Sequence, residues 1–409
     1  MKLTIDSQPA PENDFIADIS KNDASCGFEV EDEFKRFNAC NDVFARAQWD
    51  PRIRSVKAMN WFYSMLGLNI KYKNTDGYTQ KDYALRNAGW VMANLMMERS
   101  ATQNRHDGFL DDYKEYMKAA KQKVPVDSLE NMSAEIKQAG KLFGADMIGI
   151  TNTDLRWHYT HRFDAQTLSE KEYELPEGLN NCIVIGTSMQ YDLMKVYPSA
   201  LAGTAVGLGY SRDAFILQSL AQFIRNLGYN AVATLNDTAL AIPYAIKAGL
   251  AEYGRNGLAI TKEFGPRVRF GKIFTDLPLS HDVPVRFGVK EFCEICSKCA
   301  DACPAKAIPF GEPTDKVLNQ SNIKGVRKWT VDGEKCFSIW ANQGTECGIC
   351  IRVCPYNKNN ETWIQRFYFR FFRKLAATPL KKIALWLDNK LQFDKRNIPN
   401  SWWKTGANN

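Results

Sequence analysis

Residues 293–304 read CEICSKCADACP, and residues 346–355 read ECGICIRVCP. The first stretch sets Cys293, Cys296, Cys299 and Cys303 in the spacing C-x2-C-x2-C-x3-C, closed by Pro304. The second repeats that ending with Cys347, Cys350 and Cys354. A tight C-x2-C-x2-C loop lets three sulfurs converge on one corner of a cubane, while the cysteine before the proline points away and serves a second cluster. The spacing therefore predicts two [4Fe-4S] clusters. Cys293, Cys296, Cys299 and Cys354 would hold one, and Cys303, Cys336, Cys347 and Cys350 the other. Cys336 departs from the plain repeat, because a long gap separates it from Cys347. Two zinc sites are the alternative that C-x2-C pairs leave open.

Outward from these motifs, the cysteine usage agrees. Of 11 cysteines, eight lie between Cys293 and Cys354, a clustering that suits metal and not a disulfide framework. Cys182 falls in the apolar run NNCIVIGTSM and reads as core. A two-cluster unit needs only a fraction of 409 residues, so a further redox centre or substrate site is expected before Cys293. The formal net charge of +7 is too mild to imply nucleic acid, and no dense basic block precedes the last fifth. The opening, MKLTIDSQPAPENDF, has no basic region followed by an apolar one and no twin arginine. No apolar stretch reaches membrane-spanning length. The expectation is a cytoplasmic chain. The alternative is a periplasmic, membrane-associated protein whose twin-arginine leader has been removed.

Four units are expected. Residues 1–132 form an α-rich N-terminal unit. Residues 133–290 alternate helical and strand patterns, as in a layered α/β core. Within them, SAEIKQAGKLFGADMIGI reads as a helix capped by Ser133, a stop at Gly144 and a strand at Met147 to Ile150. NCIVIG reads as a buried strand, SRDAFILQSLAQFIRNLGYNAVATL as a long helix and a strand, and TALAIPYAIKAGLAEYG as a further helix. Residues 291–360 carry the cysteines in a ferredoxin-like unit, and 361–409 form an amphipathic helical tail. No G-x-G-x-x-G follows a strand, and no Walker A or H-E-x-x-H sequence occurs. Of the histidines, His106, His158, His161 and His281, the pair in HYTH reads as a solvated loop.

From about residue 133 to 356 the sequence resembles the catalytic subunit of the corrinoid-dependent reductive dehalogenases. The blocks YSRDAFILQSLAQFIRNLGYNAVATLN, IPYAIKAGLAEYGRNGLAITKEFGPRVRFGKIFTDLPL and FGVKEFCEICSKCADACPAKAI carry the resemblance, in that order. It implies a base-off cobalamin in a nitroreductase-like core, beside the two-cluster unit. It also implies two-electron reductive cleavage of a carbon–halogen bond in an organohalide. Three residues match the family's active site: Tyr210 as proton donor, Asn236 as its polar neighbour and Arg269 as the cation beside it. Gly254, Arg255, Asn256, Gly257 and Thr275 match corrinoid-cradling positions. The implied partners are an organohalide, an external electron donor (ferredoxin, flavodoxin or a membrane quinol chain) and a membrane anchor subunit, with no nucleic acid. An epoxyqueuosine reductase-like corrinoid enzyme and a ferredoxin-like electron carrier are the competing readings.

A phenol is a weak acid, so its conjugate base is costly in water. A guanidinium nearby lowers that cost and does not itself give up a proton, which is the pairing Tyr210 and Arg269 would need. In the tail, RFYFRFFRKLAATPLKKIALWLDNK interleaves cations with large apolar residues. Such a segment either docks on its own core or lies on a membrane surface.

Overall fold

The structure, a computed structural model, describes residues 23–102, 119–164, 167–172 and 175–405. The opening stretch and His106 lie outside these residues.

The N-terminal unit contributes helices α1 (Val43–Trp49), α2 (Val56–Met65) and α3 (Gln80–Thr102). The core follows as α4 (Leu129–Leu142), β1 (Met147–Asn152), β2 (His161–Asp164), β3 (Ser169–Glu172), β4 (Asn181–Ser188), α5 (Tyr191–Lys195), α6 (Ala200–Asn226), β5 (Ala231–Thr234), α7 (Ala241–Lys247), β6 (Ala251–Tyr253), β7 (Ala259–Thr261) and β8 (Val268–Thr275). The cysteine-bearing segment holds α8 (Val289–Ile295), α9 (Lys298–Ala302), α10 (Gly333–Gln343) and α11 (Ile349–Arg352). The tail forms α12 (Trp363–Ala376), α13 (Lys381–Leu391) and α14 (Pro399–Thr405).

The central sheet has the order β1-β4-β8-β5, and every neighbouring pair is antiparallel. The alternation of helices and strands is thus real, and it builds an antiparallel layer in which β8 lies between β4 and β5. Both faces are covered. Ile183, Ile185 and Ile273 point toward α6, with Leu217 and Leu220, and toward Ile136 of α4. Their neighbours Cys182, Val184 and Phe274 point the other way, onto Trp157 and Tyr244. This is the two-residue period of a strand buried on both sides. Cys182 is fully buried, as its context implied.

Several boundaries differ from the sequence reading. Helix α4 is capped by Ser128, whose side chain accepts from the Asn131 amide at 3.2 Å, and not by Ser133. Ser133 lies one turn inside and bonds Ser280 instead. Helix α6 begins at Ala200 under a Ser199 cap, well before Ser211. Its first turns, ALAGTAVGLG, are small and buried on all sides, so they carry no amphipathic period. Helix α7 stops at Lys247, and the residues after Gly249 enter β6. His158 is not in a solvated loop: it is 2% exposed, and its Nε2 meets the Tyr244 hydroxyl at 2.7 Å. No helix among the described residues is long and apolar enough to cross a membrane.

Candidate functional site

Helix α8 carries Cys293 and ends at Cys296, while α9 carries Cys299 and ends at Cys303. These two short helices fold the C-x2-C-x2-C loop so that Cys293, Cys296, Cys299 and Cys354 line one cavity, with Arg255 and Asn256. Cys303, Cys336 and Cys350 meet in a second small cluster around Ala300 and Ala307. Cys347 lies in the electrostatic reach of Cys303 and Cys336. Among the described residues, Cys293, Cys296, Cys299 and Cys354 thus share one cavity, and Cys303, Cys336 and Cys350 share one cluster, against which Cys299 also packs. The groups adjoin, since Cys299 also bears on Cys350. Burial pushes the Cys296 thiol up to about 11 and those of Cys299 and Cys336 up to about 12, with neighbouring cysteines adding to the last two. Surroundings that disfavour a bare thiolate this strongly suit sulfurs whose charge a metal cluster neutralises.

The three residues matched to the family's active site also come together, from three elements. Tyr210 lies midway along α6, Asn236 just past β5 and Arg269 near the start of β8. The Tyr210 hydroxyl accepts from the Asn236 amide and, at 3.3 Å, from Arg269 Nη1. The guanidinium also lies 4.6 Å from the centre of the Tyr210 ring. Since both neighbours donate, the phenolic hydrogen is left for a third group.

Three further residues frame this trio, and sequence reasoning missed all of them. Trp90 of α3 stacks on Tyr210, with centroids 5.0 Å apart and planes at 25°. The Tyr159 hydroxyl donates to the Asn236 carbonyl at 3.1 Å. Asp213, one turn beyond Tyr210, is fully buried and accepts from Thr187 Oγ1 at 2.5 Å. Thr187 is the cross-strand partner of Arg269, so this bond ties α6 to the strands that carry the cation. Burial pushes the Asp213 carboxyl up to about 7. No local signal marks Trp90, Tyr159 or Asp213, because each reads as an ordinary helix or loop residue.

The expected corrinoid-cradling residues lie elsewhere. Gly254, Arg255, Asn256 and Gly257 form the turn between β6 and β7. Gly257 has φ of +73°, which the left-handed turn requires. Arg255 is 2% exposed, and its guanidinium donates to the carbonyls of Cys293, Cys296, Pro309, Phe310 and Gly311. It is spent on holding the cysteine loop. Thr275 is fully buried within β8 and donates to the Asn230 carbonyl at 2.6 Å. Of the five, Arg255 and Asn256 line the first cysteine cavity.

A seam between the core and the cysteine unit fits a large polar cofactor better. Asn357, three residues after Cys354, is 1% exposed, and neither atom of its amide has a partner in the chain. Beside it, Arg267 donates to the Met189 and Lys358 carbonyls, yet its Nε is buried without a partner. Arg269 Nε, Trp90 Nε1 and Thr204 Oγ1 are buried and unpartnered as well. Native proteins rarely leave such groups unpaired. A corrin rim carries carboxamide side chains that both donate and accept, so the residues present fit that group.

Comparison with known proteins sets these observations in context. A reductive dehalogenase subunit family matches residues 164–279, and a 4Fe-4S double cluster binding domain matches residues 292–357. The tetrachloroethene reductive dehalogenase of Desulfitobacterium hafniense is 37% identical over 276 residues, covering 58% of this chain and 50% of that protein. The tetrachloroethene reductive dehalogenase of Sulfurospirillum multivorans is 33% identical over 293 residues, covering 65% of this chain and 58% of that protein. The chain thus spans between half and three-fifths of these relatives' length. A solved reductive dehalogenase, described as suggesting a mechanism for B12-dependent dehalogenation, shares the fold with a TM-score of 0.69. That match is 24% identical and covers 92% of this chain and 49% of the other. The chain is thus similar to the reductive dehalogenases in its fold and over residues 164–279, and to double-cluster 4Fe-4S domains over residues 292–357.

Proposed function

We propose that this chain is a reductive dehalogenase. It would use cobalamin in a nitroreductase-like core to cleave a carbon–halogen bond reductively in an organohalide, with electrons arriving through two [4Fe-4S] clusters. The observation that carries the reading is the Tyr210 hydroxyl, held by two donors, Asn236 and Arg269. Release of halide by the cofactor-loaded protein, and its loss in Tyr210→Phe, tests it.

Cleaving a carbon–halogen bond with two electrons releases halide and leaves a carbon that needs one proton. Tyr210 is the donor. The phenolate it becomes keeps both hydrogen bonds, and each strengthens as the oxygen gains charge. Trp90 fixes the ring plane by stacking, and Asp213 fixes α6 against β4 through Thr187. Trp90 stacks on Tyr210, and Phe37 packs beside Tyr159, whose hydroxyl meets the Asn236 carbonyl, an aromatic setting that suits an apolar organohalide. Asn357, Arg267 and Asn256 would hold the corrinoid. When bound, cobalamin supplies the low-potential metal centre that delivers electrons to the carbon–halogen bond. Arg255 keeps the Cys293 and Cys296 loop in place, and the packing of Cys299 against the second cysteine cluster keeps the two cysteine groups adjacent for electron transfer. The electrons come from an external donor, a ferredoxin, a flavodoxin or a membrane quinol chain.

The tail serves two purposes in this reading. One stripe of α12, Phe369, Phe372 and Ala376, packs on Phe292 and Tyr356 of the cysteine unit. A second stripe, Trp363, Ile364, Phe367 and Phe371, faces outward, with Trp363 70% and Phe367 68% exposed. Ile383 and Trp386 of α13 are exposed as well. Arg366, Arg370, Lys374, Lys382 and Lys390 are exposed on the same two helices. Exposed aromatic side chains flanked by cations match an anionic membrane surface, and this hairpin would place the enzyme there. An anchor subunit seated on the same stripe is the outcome that a failed lipid test would leave.

A further inference from the structure

The second cysteine group has a charged neighbour that the reading above does not use. Glu346 directly precedes Cys347, and its carboxylate is gripped in a fork by Arg86 of α3. Arg86 Nε reaches Oε2 at 2.8 Å and Nη2 reaches Oε1 at 2.6 Å. Both side chains are sealed from solvent, at 0% and 1% exposure. The remaining bonds complete the arrangement. Thr345 Oγ1 donates to Glu346 Oε2 at 2.9 Å, and Arg86 Nη1 donates to Asn87 Oδ1 at 3.1 Å and Ser64 Oγ at 3.3 Å. Gln343 Nε2 donates to the carbonyls of Thr345 and Glu346, at 3.0 and 2.9 Å.

Helix α6 makes room for this pair. A Cβ on Gly203 would stand 2.3 Å from Glu346 Oε2 and 3.0 Å from Thr345 Oγ1. The glycine lets the carboxylate lie against the helix backbone. A buried ion pair is weak evidence for stability, since apolar residues of similar volume often serve as well. Its place, next to a cluster cysteine, calls for another account.

We propose that Arg86 and Glu346 are positioning residues that hold the Cys347 loop, and that their pairing keeps an unbalanced buried charge from shifting the reduction potential of the cluster bound by Cys303, Cys336, Cys347 and Cys350. This rests on the assignment of those four cysteines to one cluster. Reduction adds a negative charge to the cluster, and nearby buried charges act on it through a medium of low dielectric. The paired carboxylate and guanidinium nearly cancel. Without Arg86 the carboxylate would oppose reduction. Without the carboxylate the guanidinium, which does not release its proton, would favour it.

The test uses the full chain loaded with its clusters, titrated electrochemically while electron paramagnetic resonance follows each reduced cluster. Glu346→Gln keeps the shape and removes the charge. The potential of one cluster should rise, and that of the other should stay at its parent value. The double variant Arg86→Gln with Glu346→Gln restores neutrality and should bring the shifted potential back toward the parent. Should Glu346→Gln fail to fold, Arg86→Gln gives the same test with the opposite sign. Unchanged potentials in a single variant that holds both clusters overturn the proposal. So does a double variant displaced as far as the single one. The underlying ligand assignment is judged separately, by the iron content of Cys347→Ala. If that variant keeps both clusters, the assignment fails, whatever the potentials do.

Discussion

At the scale of residues, the proposed chemistry turns on one phenol. Tyr210→Phe keeps the ring on Trp90 and deletes only the hydroxyl that Asn236 and Arg269 hold. General-acid assistance is typically worth about 10²–10⁴ in rate. Turnover should fall by that order while iron and corrinoid content stay at parent levels; activity within twofold of the parent would remove Tyr210 from the role. Asp213 permits a second measurement. Its carboxyl is raised to about 7 by burial, whereas an unfolded aspartate titrates at about 3.9. Between those values the folded chain binds the proton that the unfolded chain has lost, so stability falls as pH rises from about 4 to about 7. Asp213→Asn should flatten that slope in denaturation curves, and an unchanged slope would mean that Asp213 does not carry it. A third concerns Arg255, whose buried guanidinium serves five carbonyls. Arg255→Leu removes a donor from all five and, among the described residues, leaves only Gly311 with another, the Trp329 indole, a change in the class that costs about 3 kcal/mol or more. Iron content should drop; full iron loading would show that the loop stands without it. Tyr210, Asn236 and Arg269 were legible only through the order of family-like blocks, since no local spacing joins them. Trp90 and Asp213 were not legible, because each meets its partner through the packing of α3, α6 and β4 rather than along the chain.

Elements read unevenly from the sequence, and the reasons are physical. The cysteine helices were plain, because ligand spacing is dictated by cluster size and survives any packing context. Cys336 was the exception, placed by α10 and not by a motif, and it still arrives beside Cys303 and Cys350. Cys336→Ala should leave roughly half the iron of a protein that holds about eight atoms in two clusters; retention of both clusters would exclude it as a ligand. Helix α6 was half hidden, since its first turns are buried on every side and carry no period. The tail was legible as a basic amphipathic segment, yet its two apolar stripes could not be told apart until one was found packed on Phe292 and Tyr356. The outer stripe gives a test. Replacing Trp363, Phe367 and Phe371 by Ser should leave the clusters intact and abolish sedimentation with phosphatidylglycerol vesicles at low salt. The parent should sediment with those vesicles, release in high salt, and ignore phosphatidylcholine. A parent chain that sediments with neither vesicle contradicts a lipid role for the stripe.

For the whole molecule, the cysteines, the seam and the phenol lie close together, since Tyr210, Cys299 and Cys347 pack against one core cluster. The cysteines, the unpartnered buried groups Asn357 and Arg267, and Tyr210 with its two donors come from different elements of the chain. A bare electron carrier would need neither the seam nor the phenol, and an epoxide reductase would release no halide. The most direct measurement is therefore halide release. The full chain, reconstituted with cobalamin and iron and reduced chemically, is given a panel of chlorinated and brominated alkenes and phenols. The account predicts free halide in proportion to the dehalogenated product, and its loss in Tyr210→Phe. A protein that carries cobalamin and both clusters, yet releases no halide from any member of the panel, would contradict it.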